Sequence, residues 1–354
     1  MLDSTEAYIW QLPLSPEEKQ PITAAVSCTD CDGIPKVPQA GETFTGPAGP
    51  YQLMHNGVKI IGDCYYGRWM TEIIRILKGH HEPQEEKVFH EVLRYVSSPA
   101  TMLELGSFWA YYSLWFHRHI EGARCYLIEP DPNNLEMGKR NFALNDAIGQ
   151  FFNYSIGRAS GKAEPFVCES DGVERLIPKT SIDDFLSLVG LHRVDILLAD
   201  IQGAELEMLE GAADSIDQRR IRFMFLSTHH HSISNDPLTH QKCLQFLKDH
   251  KARIIAEHSV SESYTSDGLI VASISGVDQQ PKYVAVSRNR ASSGNFREIE
   301  YDLKEAWEAL AQARQELAEM ELKCAHLEKQ LQHCLTEGTV AGNVARGPGR
   351  SRAR

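Results

Sequence analysis

The chain has 354 residues, with 48 acidic against 36 basic side chains and a formal net charge of -12. That length suits one large α/β domain with appendages, or two domains, and the acidic balance argues against a nucleic-acid partner, because a phosphate backbone is neutralised by a basic surface. No apolar run reaches the length of a membrane span, and the first residues, MLDSTEAYIWQLPLSPEEK, lack the basic start and apolar core of a signal peptide, so a cytoplasmic protein is expected.

Residues 1–50 are rich in Pro, Gly, Thr and acids without clear periodicity and read as an irregular N-terminal extension. Cys28 and Cys31 form a CxxC, but no second pair at ligand spacing follows, so they read as structural loop cysteines and not as half a zinc site. From Tyr51 to Tyr66 apolar and polar residues partly alternate around Asn56-Gly57, which suggests a hairpin. Thr71–Lys78 predicts a short helix, and Gln84–Val96 a longer one with Val88, Phe89, Val92, Leu93 and Val96 on one face.

The stretch Thr101–Pro132 organises the rest of the chain. Thr101–Leu105 is a short apolar run that ends at Gly106, and Trp109–Ile120 carries apolar residues at helical spacing. Arg124–Ile128 is a second apolar run ending in Glu129, about 23 positions after Gly106, the distance at which a nucleotide-binding unit presents a carboxylate to ribose hydroxyls. The turn between first strand and helix, Gly106-Ser107-Phe108-Trp109-Ala110, has one glycine where a dinucleotide fingerprint wants three. It therefore points to S-adenosylmethionine, which carries no phosphate, with Glu104 near its amino group. A nicotinamide oxidoreductase is disfavoured on the same ground.

Pro132 at a first turn entered from Asp131 predicts a helix through Asn145. Gln150–Ile156 reads as the third strand, Ala159–Lys179 as a turn-rich segment with a short edge hairpin around Pro165–Cys168, and Ser181–Val189 as a helix capped by Ser181. Val194–Ile201 is the fourth strand and apolar almost throughout, as a strand buried on both faces should be. A helix over Ala204–Ser215, a fifth strand over Ile221–Leu226, a helix over Pro237–His250 and strands over Arg253–His258 and Leu269–Ile274 complete a doubly wound α/β sheet, mainly parallel with an antiparallel edge.

Glu298–Leu335 differs in kind. Leu303, Leu310, Leu317, Cys324 and Leu331 recur every seven residues beside a second row of Ile299, Ala306, Ala313, Met320, Leu327 and Cys334, the seam of a coiled coil that would make a homodimer. The tail from Thr336 has no apolar periodicity and ends basic, so it reads as disordered.

Ligands of open α/β sheets bind at the carboxyl ends of the strands. Asp200 ends a strongly apolar strand, where a carboxylate calls for a polar cleft or a ligand. Ser227–Asp236 holds His229, His230 and His231. If that segment is extended, His229 and His231 share a face, and either could take a proton from an attacking hydroxyl. No fixed ligand spacing supports a metal there.

LELGSFWAYYSLWF, YLIEPDPNNLEMGKRNFALN, SIDDF and LLADIQGAELEMLEGA, in that order, resemble the FkbM-type methyltransferases over roughly Gly79 to Ser275. The resemblance implies a class I methyltransferase fold, Rossmann-like, that uses S-adenosylmethionine, with O-methylation of sugars or secondary metabolites as the familiar activity. It implies Glu104, Gly106, Ser107, Glu129, Asn134 and Ser155 as cofactor residues, with Asp200 beside the methyl group. Glu104 stands where the family has Asp, Phe108 and Ala110 where it has Asn and a second Gly, and Gln202 where it has Glu.

The expected organisation is an extension at 1–50, hairpin and covering helices at 51–98, the methyltransferase domain at 99–276, a linker at 277–297, the coiled-coil helix at 298–335 and the tail at 336–354. The expected function is O-methylation of a hydroxyl on a glycan, glycolipid or secondary metabolite, with Asp200 orienting and His229 or His231 as the base. The alternative is a non-catalytic cofactor-binding scaffold that recruits a partner through its coiled coil.

Overall fold

Three sheets organise the described residues, which in this computed structural model are 2–274, 281–290 and most of those between Ile299 and Leu327. In chain order, β1 (Thr43–Gly46), β2 (Gly49–Leu53) and β3 (Lys59–Ile61) form an antiparallel sheet, its second hairpin turning at Asn56-Gly57. Next come β4 (Thr101–Leu105), β5 (Arg124–Ile128), β6 (Gln150–Phe152), β7 (Ser155–Ile156), β8 (Gly161–Val167) and β9 (Glu174–Thr180). The last four are β10 (Val194–Ala199), β11 (Ile221–Thr228), β12 (Arg253–His258) and β13 (Gly268–Ser273).

The main sheet has seven strands in the order β12-β13-β11-β10-β4-β5-β6. Its strands run parallel except β13, which is antiparallel to both neighbours and so lies one place in from the edge. Successive side chains alternate between two cores, as the strand period requires. Met102, Ile196, Leu198, Phe223 and Phe225 face one core with the helices Pro83–Leu93 and Tyr111–His119. Leu103, Leu105, Leu197, Ala199, Met224 and Leu226 face the other with the helices Ile182–Leu188, Glu205–Glu210 and Thr239–Asp249.

Four expectations are corrected. Residues 1–50 are not irregular: the helices Leu2–Gln11 and Pro16–Ser27 bury Ile9, Leu12, Ile22 and Ala25 in the first core, the second of them opened by a capping box between Ser15 and Glu18. Gln150–Ile156 is two strands in two sheets, because Asn153 Nδ2 donates to the carbonyls of Glu129 at 2.9 Å and Pro130 at 2.7 Å and draws the chain off the sheet. The edge hairpin is longer than expected, β8 and β9 pairing antiparallel with β7 beside β9. The single helix expected over Ala204–Ser215 breaks into Glu205–Glu210 and Ala213–Asp217 at Gly211, where an added Cβ would stand 2.4 Å from the Gly157 carbonyl oxygen.

The chain divides into two units, Met1–Glu298 and Ile299–Arg354. In the second, the described residues are helical, and the seam residues Ile299, Leu303, Leu310, Leu317, Met320 and Leu327 are exposed. Leu331, Cys334 and the tail 336–354 lie outside the described residues. No helix among the described residues is long and apolar enough to cross a membrane.

Candidate active site

The turn after β4 is built for close approach. Gly106 has a φ of +69°, and a Cβ on it would lie 1.7 Å from the Asp200 carbonyl oxygen, so this glycine lets the ends of β4 and β10 meet. Its amide and that of Ser107 both donate to the Ile128 carbonyl, at 2.9 and 3.1 Å, which ties the turn to the end of β5. Ala110 then takes a left-handed conformation with φ 62° before the helix Tyr111–His119, at the position where the resembled family carries glycine.

Glu129 follows β5 and is buried. Its Oε2 accepts from the Phe108 amide at 3.1 Å and its Oε1 from the Asp131 amide at 2.9 Å. Burial raises its pKa to about 8, against the lowering effect of those two amides. Glu104, within β4, accepts from the Ser113 amide at 3.0 Å, and burial pushes it up to about 7.

Glu104, Gly106, Ser107, Glu129, Asn134, Ser155 and Asp200 all line one cavity of about 450 Å³ at the carboxyl ends of the strands. Phe166, Val167 and Glu169, from the end of β8 and the following turn, also line it. The donor set fits S-adenosylmethionine. Each Glu129 oxygen can accept again. Among the described residues the buried Ser107 hydroxyl has no partner, and no Lys or Arg lines the cavity to receive a pyrophosphate. Glu129 would hold the ribose, and Glu104 and Ser107 the amino-acid end.

Asp200 and His229 meet. His229 is buried at the end of β11, with Nε2 3.1 Å from Asp200 Oδ1 and Nδ1 2.8 Å from Glu205 Oε1. Asp267 Oδ1 lies 3.7 Å from Nε2, and Gln202 Nε2 lies 3.1 Å from it, where a glutamate would have added a further acid. Burial opposes a charge on the imidazole, but hydrogen bonds to Asp200 and Glu205 and the field of Asp267 hold its pKa well above the usual value. His229 is therefore held at both nitrogens with its charged form favoured, which sets it against the role of base expected from the sequence.

His231 does not share its position. The chain turns at His230, which caps the short helix His231–Ser234 by accepting from the Ser232 amide, so the extended segment that would have paired His229 with His231 does not form. His231 does not line the cavity.

The other half of the cavity comes from segments before β4 together with the turn and helix that follow it. Tyr65, Tyr66, Trp109 and Tyr112 present aromatic surface, and Glu82 and Glu85 add carboxyl groups. Tyr65 and Trp109 stack at 4.3 Å and 7°. Glu82 Oε2 accepts from the Tyr112 hydroxyl at 2.9 Å and lies 3.2 Å from His81 Nε2. Burial opposes the His81 charge, yet Glu82, then Glu86, raises its pKa to about 10. None of these residues stands out in the sequence. The nearest signal is the acid-rich helix start Glu82-Pro83-Gln84-Glu85-Glu86, which reads equally well as a complement to the helix dipole.

Behind this wall, donor atoms of His55, His80 and Glu86 lie within 4.8 Å of one another. The two imidazoles stack at 4.1 Å and 17°, so their in-plane lone pairs run side by side and do not converge on one point. Tyr111 hydroxyl lies 2.9 Å from His55 Nδ1, and His80 Nδ1 bonds Glu86. The cluster is a hydrogen-bonded core. Cys28 and Cys31 are buried free thiols.

The sheet order and a cofactor-sized cavity at its carboxyl edge define a Rossmann-like methyltransferase of class I. Residues 91–254 match the model of the methyltransferase FkbM domain, and the protein is a methyltransferase with S-adenosylmethionine as its cofactor. No curated protein matches it. Among solved structures, the chain is similar to the precorrin-6y C5,15-methyltransferase from Geobacter metallireducens GS-15, at 16% identity, TM-score 0.35 and coverage of 53% of this chain and 88% of that one. It is also similar to the ribosomal protein L11 methylase from Lactobacillus delbrueckii subsp. bulgaricus, at 13% identity, TM-score 0.36 and coverage of 55% and 80%. A third is the METTL16 methyltransferase domain, at 13% identity, TM-score 0.37 and coverage of 55% and 68%. These likenesses are too loose to bear on substrate.

Proposed function

We propose that the chain methylates a hydroxyl oxygen on a glycan, glycolipid or secondary metabolite, with Asp200 as the base. The cofactor supplies an electrophilic methyl group on a positively charged sulfur. Asp200 accepts the hydroxyl proton as the new carbon–oxygen bond forms and the carbon–sulfur bond breaks, leaving S-adenosylhomocysteine, and aromatic faces with carboxyl groups beside it suit a molecule rich in hydroxyls. The observation that carries this reading is that Asp200 lies in the cavity that also holds Glu104, Ser107 and Glu129, with its Oδ1 3.1 Å from His229 Nε2. His229 is a positioning residue: it aims the carboxylate, and Glu205 aims His229.

The test is Asp200→Asn. General-base help is worth about 10²–10⁴ in rate, so turnover should fall by at least a hundredfold while S-adenosylhomocysteine affinity, read by calorimetry, changes less than about threefold. His229→Gln should cost about tenfold or more in kcat with S-adenosylhomocysteine affinity nearly unchanged, because the group that aims the Asp200 carboxylate is gone. His231→Ala should leave turnover within about twofold. Equal losses from His231→Ala and Asp200→Asn would sink this assignment. The scaffold reading predicts cofactor binding with no transfer to any hydroxyl acceptor.

A further inference from the structure

Glu85 lies in the first turn of the helix Pro83–Leu93 and is 8% exposed. Its Oε2 accepts a hydrogen bond from Ser227 Oγ at 3.0 Å, at the carboxyl end of β11. Its Oε1 is buried, and it has no partner among the described residues, although both Glu85 and Ser227 line the cavity. An unpaired buried oxygen is costly, and one kept in a cavity wall is accounted for when a ligand completes it.

The other acids of this wall are already engaged. Glu82 faces the His81 imidazolium and the Tyr112 hydroxyl, and Asp200 faces His229. A molecule entering beside the cofactor therefore meets, among the described residues, no Lys or Arg, and on this wall the unpartnered Glu85 Oε1.

We propose that Glu85 Oε1 docks the acceptor by holding a second oxygen of the molecule whose reacting hydroxyl faces Asp200, and that it makes the site select uncharged polyhydroxylated acceptors against amino and carboxylate counterparts. The inference rests on the hydroxyl-methylation reading above. The groups facing Glu85 are Ser227, Glu82, Asp200 and His81. Burial, then the charges of Glu82 and Asp200, pushes its carboxyl well above the usual range, which favours the neutral acid, able to donate from one oxygen while the other accepts from Ser227. An ammonium group offers only donors to an oxygen that itself donates. A carboxylate or phosphate would bring negative charge beside Glu82 and Asp200 with no lysine or arginine to receive it.

The experiment uses the full chain, S-adenosylmethionine carrying a tritiated methyl group, and as probes methyl glucoside, methyl mannoside and methyl rhamnoside against glucosamine and glucuronic acid. Neutral glycosides should be labelled with kcat/KM at least about tenfold above their charged counterparts. Glu85→Ala should raise KM for the best neutral probe by about tenfold or more with kcat within about twofold, whereas Glu85→Gln, which keeps a neutral donor and acceptor, should raise it less than about threefold. S-adenosylhomocysteine affinity should be the same in both variants. Infrared spectra, which need no acceptor, should show at neutral pH the carbonyl stretch of a protonated carboxyl that Glu85→Gln removes.

Preference for a charged probe, loss of that band's dependence on Glu85, or equal damage from Glu85→Gln and Glu85→Ala overturns the proposal. So does the absence of label on every probe while S-adenosylhomocysteine still binds. Label on the glucosamine nitrogen overturns the hydroxyl reading instead, and failure to bind S-adenosylhomocysteine overturns the methyltransferase reading beneath both.

Discussion

At the scale of single residues, Glu129 couples cofactor binding to pH. With a pKa of about 8 it is largely protonated at neutrality, whereas two ribose hydroxyls are best received by a carboxylate. Binding should therefore release a proton below pH 8, and affinity for S-adenosylhomocysteine should rise with pH, by up to about tenfold per unit, and level off above about 8. Calorimetry in buffers of different ionisation enthalpy reads the proton directly, and Glu129→Ala should weaken binding at least tenfold at the plateau. A flat affinity profile in the parent would place the ribose elsewhere. Glu129 and Asp200 stand out in the sequence because both end apolar runs, and the ends of parallel strands gather at one edge. Glu82, Glu85, Tyr65 and Tyr66 do not, because they enter the cavity from segments before β4 and only tertiary packing brings them there. Reading His229 and His231 together fails at a single backbone turn, at His230, which no side-chain pattern announces.

At the scale of elements, the β8–β9 hairpin lies at the cofactor end of the cavity, and Asp131 fastens it. That carboxylate caps the helix Pro132–Leu144 through the Asn133 amide at 2.9 Å and also accepts from the Ser170 amide at 2.9 Å and hydroxyl at 3.0 Å. Asp131→Ala should lose the cap, worth about 0.5–2 kcal/mol, and release the hairpin as well. Chemical denaturation should show the stability loss, and cofactor affinity should fall with it. A stability loss with affinity unchanged would mean that the hairpin holds its place by β7 pairing alone. The cap is plain from Asp131-Pro132 in the sequence, since a proline at a first helical turn marks the residue before it. The tie to Ser170 is not, because it joins positions 39 apart across a turn-rich segment. The N-terminal helices are hidden for a related reason. Proline inside the second one, Pro21, and acids scattered along both obscure a stripe whose burial only the neighbouring helices reveal.

At the scale of the whole molecule, the second unit presents Leu303, Leu310, Leu317 and Leu327 to solvent in its own helix. Burying a leucine contributes about 1.5–3 kcal/mol, so a second copy of this seam could hold a dimer together. Light scattering at tens of micromolar should give twice the chain mass, and truncation after Asn289 should give the single-chain mass with cofactor binding intact. A full-length chain at single mass would end the coiled-coil reading. The tryptophans add something different. Trp10 is 54% and Trp307 60% exposed, while Trp109, at 5%, lies in the cavity wall against the face of Tyr65. A ligand entering the cavity changes the surroundings of that one indole and leaves the exposed pair as they were. The protein thus carries its own optical gauge of occupancy, and emission at the short-wavelength side of its tryptophan band can follow loading in real time without a label.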